Sequence, residues 1–295
     1  MTPLIPAEER LRGFSKTYYH NLIRNEMKKT LLIMAMTAIV ATGFAQKKLV
    51  LFFSETGSTK AVAEELQKQL GSDIETIEAV KPYSGNFQET MQRGQRENQS
   101  GETPALKPLK KKITDYDVIF LGYPIWFGTY ANPIATLVKE NDFAGKTIVP
   151  FCTFGSGGLE SSIKDLAAAE PKAEILPGYG VRAARLEAMP KEVDYFLKAN
   201  GFLEGEFVKL EDFPEQHPVS EEETAVFDAA VDGYPMLHAK ATAVATRALP
   251  DGMEYRFTAV DLPREDKPDM PPAGEITVYV TVAAGESPVF TKVIR

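Results

Sequence analysis

The chain has 295 residues, 44% hydrophobic and 25% charged, an ordinary globular balance without a signature of disorder. A net charge of −8 and a pI near 5.2 argue against sequence-independent nucleic-acid binding, which needs Lys and Arg to neutralise phosphates. One cysteine, Cys152, precludes an internal disulfide and a Cys-rich metal site, and the three histidines (His20, His217, His238) lie far from one another, so no metal centre is expected.

The first 45 residues read as an address. Lys28 and Lys29 follow Met27, Leu31 to Val40 is apolar, and Gly43-Phe44-Ala45 supplies small residues before Gln46. Positive start, short apolar centre and small-residue exit predict a signal peptide over 27–45 and an exported, periplasmic protein. The apolar run falls short of the ~20 residues that span a bilayer, so no stable membrane anchor is expected, with a retained anchor as the rival reading. Gln46 stands where a lipoprotein needs cysteine. Residues 1–26 lie upstream of the whole pattern and read as a misassigned start, with translation beginning at Met27.

From Lys47 short apolar runs alternate with helical periods. Lys48–Phe53 is a strand apolar on both faces, as in a covered parallel sheet. Ala61–Leu70 is a helix with Val62, Leu66 and Leu70 on one face and Gly71 as its stop. Asp73–Ala79 is a second strand, and Pro82–Ser100 a polar loop with a short helix at 87–95. Val118–Gly122 is a third strand, Pro133–Glu140 a helix, Thr147–Cys152 a fourth strand and Leu159–Ala169 a helix. Glu174–Leu176, extending towards Val181, is a fifth strand, and Pro190–Ala199 a closing helix before Asn200-Gly201. Such alternation predicts an α/β fold whose ligand sits beyond the carboxyl ends of the strands.

Three loops follow those strand ends. Ser54-Glu55-Thr56-Gly57-Ser58-Thr59-Lys60 offers hydroxyls, one flexible glycine and the open N–H groups of a helix start, which together suit a phosphate. It is neither a Walker loop nor a dinucleotide fingerprint, and a plain Ser/Thr helix cap is the alternative. Gly122-Tyr123-Pro124-Ile125-Trp126-Phe127-Gly128-Thr129-Tyr130 is dense in aromatics and suits a flat conjugated ring; for Trp126 ordinary packing is the alternative. Thr153-Phe154-Gly155-Ser156-Gly157-Gly158 lets backbone amides approach a polar ring edge, or is simply a flexible turn.

Together these loops resemble the flavodoxin family, in particular its short bacterial FMN-binding branch. The matching pieces are Ser54–Thr59, Leu121–Gly128 and Pro150–Gly158. The resemblance implies a flavodoxin-like three-layer sandwich with a five-stranded parallel sheet in the order 2-1-3-4-5. It also implies non-covalent FMN. Ser54, Thr56, Gly57, Ser58 and Thr59 would bind the phosphate. Pro124, Ile125, Trp126, Phe127 and Gly128 would flank the isoalloxazine, and Thr153, Phe154, Gly155, Ser156, Gly157 and Gly158 would line its pyrimidine side. Phe127 stands where relatives often carry a second tryptophan. No protein side chain is expected to be catalytic, because the cofactor carries the chemistry.

Residues 46–203 are therefore read as the FMN-binding domain, 204–219 as a linker and 220–295 as a small α+β domain. Ser220 and Glu223 form a capping box for a helix over 221–232. Four antiparallel strands follow, at 240–248, 253–260, 275–282 and 289–294, with turns at Pro250-Asp251-Gly252 and Ala284-Gly285-Glu286. Ala243–Thr246 and Tyr255–Phe257 faintly resemble cystatin-like modules, without implying protease inhibition. Three functions stay open: an electron-transfer flavoprotein serving a redox partner protein, an FMN-dependent reductase passing NAD(P)H electrons to a small-molecule acceptor such as a quinone, azo or nitro compound, and a non-redox binding module. A reductase would need a cavity, for which Tyr83, Tyr130, Tyr179 and Arg182 are the candidate walls.

Overall fold

Unbroken apolar runs build the central sheet in the computed structural model, which describes residues 46–232, 234, 237–263, 272 and 274–295. The expected signal segment and the residues upstream of it lie outside that range. Strand β1 (Lys48–Phe52) leads into helix α1 (Ser58–Leu70), then β2 (Asp73–Thr76), α2 (Phe87–Ser100) and β3 (Val118–Trp126). A short β4 (Thr129–Tyr130), α3 (Asn132–Glu140), β5 (Thr147–Phe154) and α4 (Leu159–Ala169) follow. Then come β6 (Glu174–Ile175), β7 (Tyr179–Arg182) and α5 (Met189–Ala199).

The parallel strands lie in the order β2-β1-β3-β5, with β6 and β7 both paired to the outer edge of β5. This is the 2-1-3-4-5 arrangement, its last strand split in two. Pro177, which lacks an N–H, and Gly178 occupy the break. A Cβ on Gly178 would stand 2.6 Å from the Pro150 carbonyl, so the chain passes there only without a side chain.

Alternation along each strand sends side chains to two cores. Leu49, Leu51, Ile119, Leu121 and Ile148 meet Ile134 and Leu137 of α3 and Leu166 of α4. Val50, Phe52, Phe120, Val149 and Phe151 meet Val62 and Leu66 of α1 and Val193 and Leu197 of α5. The result is the expected three-layer sandwich.

Several elements run further than their sequence suggested, among them β5, which continues past Cys152 to Phe154 and takes Thr153 and Phe154 out of the expected third loop. Helix α2 extends to Ser100, capped by Asn86, whose side chain accepts from the Glu89 N–H. Its polar composition hides it, because it buries only Thr90 and Gly94. Strand β3 does not stop at Gly122 but continues to Trp126, and this corrects the reading of 122–126 as loop. Strand β2, by contrast, ends at Thr76 instead of Ala79. The Ile77 N–H still bonds to Phe52, and Ala79 forms an isolated bridge to Leu106.

The C-terminal region is a second, antiparallel sheet with one helix. It comprises β8 (His217–Pro218), α6 (Glu221–Val231), β9 (Ala239–Leu249), β10 (Gly252–Asp261), β11 (Glu275–Ala283) and β12 (Val289–Ile294), in the order β12-β11-β10-β9-β8. The four expected strands and the Ser220–Glu223 capping box are present, and β8 adds a short fifth strand. Phe227 of α6 packs edge-on against Phe257, over Val244, Val278, Val280 and Phe290.

The stretch expected to link the two sheets is anchored along its length. The Leu210 N–H donates to the Tyr195 hydroxyl, Arg247 donates to the Glu211 carbonyl, and Phe213 lies beneath the guanidinium groups of Arg247 and Arg256. The Thr258 hydroxyl donates to the Gln216 side chain, and His217 pairs with Val244. Residues 47–295 accordingly form one compact unit.

Close packing in the sheet yields a first prediction. A Cβ on Gly122 would lie 2.1 Å from the Phe151 ring. Gly122→Ala should cost about 1–3 kcal/mol in urea denaturation, and pairing it with Phe151→Leu should return part of that loss. Additive costs in the double variant would contradict this packing.

Candidate functional site

The register of β1, β3 and β5 decides where their loops fall. Phe52 pairs with Gly122, and Pro124 with Thr153, so all three strands leave the sheet along one edge. Side chains then tie the loops together. The Thr59 and Thr153 hydroxyls hydrogen-bond at 2.8 Å, both buried, and join the first loop to the third. The Ser161 hydroxyl donates to the Gly128 carbonyl at 2.5 Å, joining the second loop to the helix after the third. A Cβ on Gly158 would meet the Ile125 side chain at 2.6 Å, and Gly158 has a φ of +111°.

In the first loop Ser54 is the organiser. Its hydroxyl oxygen accepts from the N–H groups of Gly57 and Lys60, each at 3.2 Å, which leaves its own proton available. Gly57 caps α1 with a φ of 92°, a left-handed conformation that glycine adopts without strain. The Glu55 carboxylate accepts from the Gly85 N–H and fixes the outer side of the loop. Among the described residues, the N–H groups of Ser54, Glu55, Thr56, Ser58 and Thr59 have no protein acceptor. The start of α1 adds the positive end of its dipole. The structure thus offers an anion mainly backbone donors, with Thr56 and Ser58 hydroxyls beside them.

The second loop is a hairpin. Strand β3 overhangs β1 by Tyr123–Trp126, reverses at Phe127-Gly128 and returns as β4, with Ile125 opposite Tyr130 and Trp126 opposite Thr129. Phe127 and Gly128 have φ values of 53° and 84°, as a tight two-residue hairpin turn requires. Phe127 is the one non-glycine described residue with positive φ, and for a bulky side chain that conformation costs roughly 1–2 kcal/mol. It is also 51% exposed. Trp126 is different: it is 6% exposed, edge-on to Phe53 and Tyr83. Of the two adjacent aromatics expected to flank a planar ring, the structure presents Phe127 and packs Trp126 in the core, the alternative given for it.

A polar network supports that aromatic cluster. Glu97 accepts from the Tyr83 hydroxyl, from Arg93 and from Asn132, and Asn132 also donates to the Gly94 carbonyl. Burial pushes the Tyr83 hydroxyl well above the ordinary phenol range, helped by Glu97, so it stays a protonated donor. Gly94 lets α2 approach Phe127, whose ring would lie 3.1 Å from an added Cβ. Sequence reasoning missed this network. Its signal is Tyr83, Arg93 and Glu97 around a helix too polar to be recognised in full.

The third loop is glycine-rich and backbone-rich. The N–H groups of Gly155, Ser156, Gly157 and Gly158 have no protein acceptor among the described residues. Thr153 and Phe154 end β5 and are buried, so they brace the loop from below. The N–H groups of Phe127 and Gly128 are open in the same way.

The rim therefore combines a backbone anion cradle, an exposed aromatic ring and a run of backbone donors. The flavodoxin family model matches residues 47–192. Those residues form a flavodoxin-family domain. Flavodoxin 1 of Salmonella typhimurium and Flavodoxin 1 of Escherichia coli K12 are each 26% identical over 115 residues, 38% of this chain and 49% of theirs. The chain spans about half the length of these curated relatives. A candidate flavoprotein from Bacteroides eggerthii is 30% identical, covering 53% of this chain and 99% of its own, with a TM-score of 0.48. A flavoprotein from Lactobacillus acidophilus, solved in complex with FMN, is 21% identical over 46% of this chain and 93% of its own, with a TM-score of 0.41.

The residues expected to wall a cavity are spread over the flavodoxin-like domain. Tyr179 donates to Glu192 in the core opposite to that of Tyr83, Tyr130 packs on Tyr123, and Arg182 is bonded to Gly155 and Phe290. These four side chains do not face one common cavity. Cys152 is fully buried, and desolvation pushes its thiol well above the usual range, so it packs as a neutral side chain.

The Thr59–Thr153 bond gives a testable consequence. Thr59→Val strands the buried Thr153 hydroxyl and should cost about 1–3 kcal/mol. The double variant Thr59→Val/Thr153→Val should recover most of it in urea denaturation. A double variant as unstable as the sum of the singles would show that the two hydroxyls do not act as a pair.

Proposed function

We propose that this chain binds one FMN across the rim and carries electrons between a donor and an acceptor. The observation that carries this reading is the convergence of open backbone N–H groups from three loops of a flavodoxin-family domain beside one exposed aromatic ring. The N–H groups of 54–56, 58 and 59, with the Ser54 proton, would hold the phosphate. No lysine or arginine is required, because the helix dipole and several N–H donors together favour a dianion. Thr59 contributes its backbone N–H, while its side chain braces the loop through Thr153. Phe127 would cover the ring, and the N–H groups of 155–158 would meet the polar edge.

FMN, when bound, supplies the capacity to accept and release electrons. The chain's own part is to position it and to set the field around it. The net charge of −8 opposes adding negative charge, which favours a low potential and a basic redox partner protein. The separation of Tyr83, Tyr130, Tyr179 and Arg182 supports shuttling between proteins over reduction of a small substrate in a cavity.

We further propose that residues 27–45 direct export, on the strength of the Lys28-Lys29 start, the apolar centre and the small-residue exit. N-terminal sequencing of the exported protein should begin at Gln46; a mature chain beginning well before Gln46 would contradict it. The C-terminal module is proposed to be cystatin-like in shape, supported by one helix packed across antiparallel strands.

Titrating FMN with the chain from Gln46 onward should quench flavin fluorescence with one FMN per chain. Riboflavin, which lacks the phosphate, should bind at least about tenfold more weakly. Absence of quenching would overturn the FMN reading, and equal affinity for both flavins would remove the phosphate from the first loop.

A further inference from the structure

The C-terminal sheet touches the flavodoxin-like domain at the third loop. Arg182, the last residue of β7, donates through Nε to the Gly155 carbonyl and through Nη1 to the Phe290 carbonyl of β12, each at 2.8 Å. Its guanidinium lies over the rings of Tyr234 and Phe290, 4.8 Å and 4.4 Å from their centroids. The Val293 N–H of β12 donates to the Ser156 carbonyl at 2.7 Å. A Cβ on Gly157 would lie 2.2 Å from the Val293 carbonyl oxygen, so β12 and the loop are in direct backbone contact. Lys292 pairs with Glu160 at the outer end of this seam.

These bonds bear on the direction of the loop's donors. In a trans peptide the C=O of one residue and the N–H of the next point opposite ways, and no described peptide here is cis. Holding the Gly155 carbonyl at Arg182 turns the Ser156 N–H away from β7. Holding the Ser156 carbonyl at Val293 turns the Gly157 N–H away from β12. Strand β7 lies on one side of β5 and β3 on the other. Both N–H groups are therefore turned away from the seam, and they are among the donors without a protein acceptor.

We propose that the C-terminal sheet is a structural wall of the flavin site, with Arg182 and the Val293 N–H acting as positioning groups that aim the Ser156 and Gly157 amides at the ligand. This rests on the FMN reading above and adds a role for the second module: it orders the glycine loop before ligand arrives. A loop of one serine and three glycines is costly to order, and preorganising it returns that cost as affinity. The guanidinium suits the task because its planar fork fixes the directions in which it meets two carbonyls, whereas a lysine ammonium is a rotatable point charge.

The test uses the full chain from Gln46 onward, with FMN as the probe. Arg182→Ala should weaken FMN binding about tenfold and Arg182→Lys about threefold, following the loss of charged hydrogen bonds. Gly157→Ala, which wedges the seam apart, should shift the flavin midpoint potential in the same direction as Arg182→Ala. Lys292→Met, which removes the partly exposed pair with Glu160 and the cation over the Tyr279 ring at the seam's outer end but no bond to the glycine loop, should stay within about twofold of wild type. A structural role alone would lower unfolding stability and leave the potential and the Ala–Lys ranking unchanged. If wild type binds FMN and the Arg182 and Gly157 variants match it in affinity and potential, the wall is overturned and the FMN reading stands. If wild type itself does not bind FMN, the FMN reading fails and the wall falls with it.

Discussion

Backbone N–H groups that leave a parallel sheet need an acceptor elsewhere, and in this protein three loops release theirs along a single edge. The sheet supplies the alignment: β1, β3 and β5 are neighbours in parallel register, so their carboxyl ends coincide. An unpaired N–H costs little while water reaches it, and it becomes a binding determinant when a ligand replaces that water. The open N–H groups of 54–56, 58 and 59, of 127 and 128, and of 155–158 are therefore the site's main chemical resource. Most side chains named at the rim serve to hold those peptides still.

That division explains the arrangement of braces. Ser54 closes the first loop on itself, and Glu55 ties it to Gly85. Thr59 and Thr153 join loops one and three beneath the rim, while Ser161 fastens the hairpin at Gly128. Phe127 holds a backbone conformation unfavourable to its side chain at a turn with its ring half exposed. Strain of this kind persists where the surroundings enforce it. Here the enforcement comes from β4 on one side and from the close approach of α2 at Gly94 on the other. The C-terminal sheet extends the same logic, meeting the glycine loop through backbone contacts from β12.

Much of this was legible in the residues. The central strands β1, β3 and β5 announce themselves as apolar runs, and the second sheet by its alternation and its Ser220–Glu223 cap. The three loops could be placed at one edge because strand–helix alternation permits few topologies. Less legible was anything that depends on a partner distant in sequence. Trp126 and Tyr123 look like loop aromatics because Gly122 and Pro124 suggest a strand end. Pairing of Tyr123 with Cys152 and Pro124 with Thr153 carries β3 onward and buries both rings. Helix α2 is too polar for periodicity to reveal its full length. Arg182 could not be read as a clamp, because its two acceptors lie 27 and 108 residues away.

If one ligand occupies the rim, all three loops meet it through their main-chain amides. Amide hydrogen exchange with and without FMN measures this directly. Exchange should slow on FMN addition in each of the segments 54–59, 127–128 and 155–158, with no comparable change in the distal β9–β10 hairpin. Protection confined to one of the three segments, or absent from all of them, would contradict it.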